Sequence, residues 1–197
     1  MNYLSHLYLS KDNQEILIGN FIADAVKGNK LNNYPEGIKK GILLHRYIDT
    51  FTDTHPISKR SMQRLHPRYR HYKGVIMDII YDHFLAKHWT KYSSIPLEEY
   101  AKNTYDYLHR KSTLFPEKML PVLNHMTNHN WLVTYSSLNG IELVLNGMNS
   151  RTKGLSQMHL AIEDLKSNYE DFESDFFEFF EELEIYTKSK TSELLSE

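Results

Sequence analysis

The chain has 197 residues, of which 41% are hydrophobic and 13% aromatic, enough apolar material for the core of one domain spanning residues 1–197. Charged residues make up 24% and the formal net charge is −2, which excludes a disordered polyelectrolyte and a generally basic nucleic-acid coat. Cysteine is absent, so disulfides, thiolate-ligated zinc, iron–sulfur clusters and thiol nucleophiles are excluded, and any metal must be held by His, Asp or Glu.

From the amino terminus, Met1-Asn-Tyr-Leu-Ser-His lacks the basic region and long apolar core of a signal peptide. The apolar stretch Ile16 to Val26 is interrupted by Gly19, Asn20 and Asp24, too polar to span a membrane. A cytoplasmic protein with no membrane partner is expected. Apolar residues recur every three to four positions and alternating β-branched runs are nearly absent, so the chain reads as all-α, a single-domain multi-helix bundle. The six prolines fall between the periodic segments, where they start and stop helices. The spacing predicts helices over 14–27, 36–53, 57–65, 70–92, 96–112, 117–129, 131–148 and 155–187. No internal repeat or Gly/Ser linker divides the chain, and no residue pattern sets an oligomeric state.

Charge is unevenly spread. Thr54 to Met77 carries no acid but holds Lys59, Arg60, Arg64, Arg68, Arg70 and Lys73, with His55, His66 and His71 among them. Such a block is either a solvated face or a docking surface for an acidic macromolecule or a phosphate-bearing ligand. The last predicted helix interleaves acids from Glu163 to Glu184 with Phe172, Phe176, Phe177, Phe179 and Phe180, the pattern of an acidic amphipathic helix packed through its phenylalanines.

The strongest functional clue is polar residues on apolar helix faces. At about 100° per residue, Asp78 and Asp82 share an arc with Val75, Leu85, Ala86 and Trp89. Two buried carboxylates side by side need a positive partner, either a divalent cation or a pair of arginines. His45 and Asp49, four residues apart, share a face with Ile38, Ile42 and Ile48, a spacing that can put an imidazole nitrogen and a carboxylate oxygen on one ion. Asn20 and Asp24 lie with Leu17 and Phe21 in the same way. Singly, each has a structural explanation: a histidine bonded to a carbonyl, or an aspartate paired with Arg46, Arg60 or Arg64. Together, inward Asp and His on three helices resemble a carboxylate–histidine metal site, with His6 a further ligand. Walker, Rossmann, nucleophile-elbow and H-E-x-x-H motifs are all missing.

Four blocks then carry a specific resemblance: Met1-Asn-Tyr-Leu-Ser-His-Leu-Tyr-Leu9, Gly19-Asn-Phe-Ile-Ala-Asp-Ala-Val-Lys-Gly28, Leu44-His-Arg-Tyr-Ile-Asp-Thr-Phe-Thr-Asp-Thr-His-Pro56 and Asp78-Ile-Ile-Tyr-Asp-His-Phe-Leu-Ala-Lys-His-Trp89. In order and spacing they resemble the acyl carrier protein phosphodiesterase family, a divergent relative of the HD-domain phosphohydrolases. The resemblance implies an HD-like helical fold and a manganese-dependent (or magnesium-dependent) enzyme. Its reaction would be removal of 4′-phosphopantetheine from holo-acyl carrier protein. It also implies a site drawn from Asp24, His45, Asp49, Asp78, Asp82 and His83, with His6. The chain departs from the wider HD pattern in lacking an adjacent His-Asp dyad, since Arg46 follows His45 and residues 82–83 read Asp-His.

On this reading Asp24, His45, Asp78, Asp82 and His6 are the expected metal ligands. Asp49 ligates the metal or orients His45 or water, and His83 supports the site or faces substrate. Arg46, Arg60 or Arg64 would neutralise phosphate charge. The basic block from Lys59 to Lys73 would dock the acidic carrier protein. The alternatives are a phosphohydrolase acting on a nucleotide or other small phosphoester, and a noncatalytic helical module in which the inward Asp and His form salt bridges.

Overall fold

The computed structural model describes residues 1–196, and among them every regular element is helical. The α-helices are α1 (Tyr3–Leu9), α2 (Gln14–Ile22), α3 (Glu36–Thr54), α4 (Pro56–Arg64), α5 (Lys73–Lys87), α6 (Leu97–Arg110), α7 (Met119–Asn128), α8 (Trp131–Thr134), α9 (Leu138–Arg151), α10 (Ala161–Ser167) and α11 (Tyr169–Ser196). None is long and apolar enough to cross a membrane.

Local sequence explains most boundaries. Asn13 starts α2 by accepting hydrogen bonds from the Glu15 and Ile16 amides at 3.2 and 3.1 Å. Pro56 opens α4, where its missing N–H costs nothing. The expected helix over 131–148 is two helices, because Ser137 caps a new start by accepting from the Gly140 amide at 3.1 Å. The expected helix over 155–187 begins later and is broken at Asn168 between α10 and α11. The helix expected from residue 70 begins at Lys73, since Arg70, with φ 49°, kinks a separate 3₁₀ segment, Pro67–Tyr72, that precedes it. The α1 helix has no counterpart in the sequence reading, and seven residues are too few to fold without help. That help is Asp82, whose carboxylate accepts from the Leu4 and Ser5 amides at 2.8 and 3.2 Å and from the Ser5 hydroxyl.

Two packing features position the rest. Helices α2 and α3 cross at Gly19 and Gly41, where a methyl group on Gly41 would sit 2.4 Å from the Ile16 carbonyl oxygen. Only glycine permits so close an approach of two backbones. Helix α11 lies across α3, α4 and α5, and four of the five phenylalanines expected inward, Phe172, Phe176, Phe179 and Phe180, are fully buried in the core, while Phe177 is partly buried. Phe179 stacks on Tyr81 at 5.0 Å between centroids.

The acidic face of α11 is not wholly solvated. Asp175 is 2% exposed and takes Arg60, Arg64 and Ser61 as partners, with Arg60 Nε at 2.8 Å and Ser61 Oγ at 2.6 Å. Arg60 also reaches Glu178 at 2.6 Å and Arg64 reaches Asp171 at 3.6 Å. These arginines therefore lock α4 onto α11, where sequence reasoning placed them on phosphate or on a partner.

Candidate metal centre

The Gly19–Gly41 crossing sets the register of α2 against α3 so that His45 Nδ1 lies 3.0 Å from the Asn20 carbonyl oxygen. A carbonyl only accepts, so Nδ1 carries a proton. Nε2 is left facing Asp49 Oδ2 at 3.1 Å, one turn along α3, and Asp24 Oδ1 at 3.4 Å. Asp24 belongs to a 3₁₀ turn, Ala23–Ala25, that follows α2. From α1, His6 brings Nε2 to 3.1 Å from Asp49 Oδ1, and its ring stacks on that of His45 with centroids 3.8 Å apart. The Met1 amino group lies 2.8 Å from Asp78 and 3.5 Å from Asp49.

These contacts polarise the group. Burial opposes a charge on His45, but its bonds to Asp24 and Asp49 outweigh that and raise its pKa to about 9. Burial, then the neighbouring His45, lowers His6 to about 4. Burial would raise Asp49, yet His6 and His45 hold it well below the ordinary carboxylate range.

His6, His45 and Asp49 offer two imidazole nitrogens and a carboxylate oxygen within 4.8 Å of one another, a group that could hold a metal ion. Two features fit a divalent cation. With Nδ1 committed to Asn20, an unprotonated His45 Nε2 would point its lone pair at two carboxylates, so a proton or a metal must lie there. His6 Nδ1 is buried with no hydrogen-bond partner among the described residues. The N₂O donor set suits a borderline or hard divalent ion. The group opens into a cavity of about 310 Å³, also lined by Asp24, Asp53, His71 and Asp78.

The other expected site residues fall elsewhere. Asp82 is fully buried and points to α1, where it accepts from the Leu4 and Ser5 amides and the Ser5 hydroxyl, outside the His6–His45–Asp49 group; burial pushes its pKa up to about 7 against the pull of those donors. Arg46 donates to the Val26 carbonyl at 3.0 Å, pinning α3 to the chain after α2. Lys73 Nζ closes the end of α4, donating to the Met62 and Leu65 carbonyls at 3.1 and 2.6 Å. Lys59, Arg68 and Arg70 remain exposed, with no acid within 4.0 Å among the described residues. Sequence reasoning missed Asp53 and left His71 only in the basic block. Asp53 had a signal, since His45, Asp49 and Asp53 form an i, i+4, i+8 ladder on α3.

His83 does not join the centre. Its Nδ1 donates to the Tyr135 carbonyl at 2.8 Å and its Nε2 accepts from the Tyr169 hydroxyl at 2.7 Å, which ties α5 to α11 and to the segment after α8. Burial lowers its pKa from 6.5 to about 4. Between those values the unfolded chain binds a proton that the folded chain refuses, so stability is full above about pH 6.5 and falls as pH drops toward about 4, by about 3 kcal/mol. Urea unfolding across that range should show this slope in the parent and a slope shallower by about one proton in His83→Gln.

Residues 1–183 match the model of a family described as acyl carrier protein phosphodiesterase. The chain belongs to the acyl carrier protein phosphodiesterase family. It is 32% identical over 195 residues to a protein of Enterobacter sp. (strain 638) with that name, covering 96% of this chain and 99% of the relative. The same identity holds over 184 residues with the protein so named from Klebsiella pneumoniae (strain 342), covering 93% and 95%. It holds again over 181 residues with that of Escherichia coli O6:H1, covering 91% and 94%. No solved structure matches the chain. The four blocks that resemble the acyl carrier protein phosphodiesterase family meet in space, contributing His6, Asp24, the His45–Asp49–Asp53 ladder and Asp78 to one cavity and the group beside it.

Proposed function

We propose that the chain hydrolyses the phosphodiester joining 4′-phosphopantetheine to a serine of holo-acyl carrier protein, with Mn²⁺ or Mg²⁺ held by His6, His45 and Asp49 and bordered by Asp24 and Asp78. The observation that carries this reading is the anchored His45, whose free nitrogen faces two carboxylates beside an open cavity. The printed name of the family and of its curated relatives supplies the substrate class. A bound cation there would polarise the phosphate and acidify a water molecule. Asp49 holds both imidazoles in orientation, and the Asn20 carbonyl keeps Nε2 of His45 turned inward. Asp24, exposed at the cavity edge, is placed to take a proton from the attacking water. The water's oxygen stays on phosphorus as the phosphorus–oxygen bond to serine breaks, and the serine oxygen takes a proton from solvent while Asp24 returns its own.

The deciding experiment strips the purified chain with chelator, resupplies Mn²⁺ or Mg²⁺, and measures release of 4′-phosphopantetheine from holo-acyl carrier protein. Release should vanish on stripping and return with metal. Turnover of small phosphoesters alone would move the substrate to a nucleotide-like molecule. A melting temperature indifferent to chelator and metal would favour a salt-bridged, noncatalytic module.

Of the surviving basic residues Lys59, Arg68 and Arg70, the last two lie on the segment that also brings His71 to the cavity. Carrier proteins are acidic, so this segment is the proposed docking edge. Arg68→Glu combined with Arg70→Glu should raise KM about tenfold or more in low salt with little change in kcat, an effect that fades as salt screens it. Arg64→Glu should chiefly lower the melting temperature, because it breaks the contact with Asp175.

A further inference from the structure

A second cavity, of about 630 Å³, opens off the same centre and shares Met1, Asp24, Val75 and Asp78 with the first. Its volume lies within the roughly 300–1,000 Å³ of small-molecule sites. Its character is opposite to that of the metal centre. Trp131 from α8 and Val144 and Met148 from α9 are only partly buried and give it an apolar wall, with Arg151 as a cation beside Trp131. Thr134 and His125 add hydrogen-bonding groups. At Gly147 the wall is thin, since a methyl group built there meets nothing within 4 Å.

We infer that this groove binds the pantetheine arm of the substrate, extended from the phosphodiester at the metal centre along α9. The inference rests on the functional reading above and adds where the prosthetic group lies. The arm is a flexible chain of methylenes, a gem-dimethyl carbon and two amides. It therefore needs an apolar wall with a few scattered polar groups, contiguous with the place where its phosphate is attacked. A polar cavity of the first kind could not bury it, and a flat surface would not order it. Trp131 supplies a broad rigid face, and Gly147 leaves room for the chain to pass over α9.

The test fills the groove from its thin side. Gly147→Phe replaces an exposed helical glycine, so folding should be kept, which a thermal melt verifies. Two readouts follow. The first is kcat/KM for holo-acyl carrier protein with Mn²⁺, expected to fall at least about tenfold in Gly147→Phe, mainly through KM. The second needs no metal and no turnover: pantetheine, which lacks the phosphate, is titrated against tryptophan emission. Trp89 is 3% exposed and Trp131 lines the groove, so a saturable change reports Trp131. It is expected in the parent and absent in Gly147→Phe. Parent-like kcat/KM in Gly147→Phe, or no pantetheine response in the parent, overturns the inference. A parent that binds pantetheine yet releases nothing from holo-acyl carrier protein overturns the functional reading and leaves the groove assignment standing. Coenzyme A carries the same arm, and cleavage of it in preference to the carrier protein would make the free cofactor the source of the ligand and overturn the assignment to the carrier.

Discussion

Asp49→Asn should abolish turnover while the chain stays folded. One carboxylate meets His6 Nε2 and His45 Nε2, each at 3.1 Å, and the Met1 amino group at 3.5 Å. An amide of the same shape keeps the volume but removes the negative charge that holds a cation between two imidazoles. It also turns one accepting oxygen into a donor, which cannot face an Nε2–H. A loss of about 10³-fold or more in kcat/KM is expected, together with loss of Mn²⁺ binding by calorimetry. The far-UV circular dichroism should be unchanged, because Asp49 is 38% exposed and meets only polar groups of Met1, His6 and His45, outside the apolar core. Activity within tenfold of the parent would place the ion elsewhere. The control is Asp82→Asn: that carboxylate meets only the start of α1 and the Ser5 hydroxyl, so its loss acts first on stability.

The second large effect is expected far from any reacting atom. Gly41→Ala adds one methyl group 2.4 Å from the Ile16 carbonyl oxygen and 2.8 Å from the Gly19 Cα. Both are backbone atoms, so no side chain can rotate away and α2 must move off α3. Overpacking of this kind costs about 3 kcal/mol, which for a chain of this length lowers the melting temperature by roughly 10 °C. The same displacement lengthens the bond from His45 Nδ1 to Asn20, now 3.0 Å, and frees the ring to turn. Mn²⁺ affinity should therefore fall about 10- to 100-fold in the fraction that remains folded. Gly147→Ala, on a helix where the added methyl group meets open space, should instead raise the melting temperature slightly. Equal melting temperatures for Gly41→Ala and the parent would show that the two helices are not held at this crossing.

The contrast between Asp49 and Asp82 marks how far sequence reasoning reaches. Both are polar residues on an apolar helix face, and the 3.6-residue period identifies both as inward. What meets each one is a different matter. Asp49 is met by His45 from its own helix, one turn away, and that pairing is legible because the helix itself dictates the distance. Asp82 is met by amides 77 and 78 positions away in the chain, on a helix too short to show a period. The arginine pair that sequence reasoning offered to inward aspartates exists, but it serves Asp175, more than 100 residues distant from Arg60 and Arg64.

The helical class, most of the prolines as helix boundaries, the burial of four of the five α11 phenylalanines and the His45–Asp49 pair were determined by the sequence alone. Each depends on residues within a few positions of one another, where helix geometry turns spacing into direction. The four family blocks belong with these, since they are strings of neighbours. The tertiary structure alone decided that His6 stacks on His45 and that Asp24 and Asp78 border the group while Asp82 and His83 do not. It also decided that half of the basic block is spent on α11 and on the end of α4. Those outcomes depend on how helices cross. The crossing of α2 and α3 depends in turn on two glycines whose role is to offer no side chain, a property that leaves no period for a sequence to display.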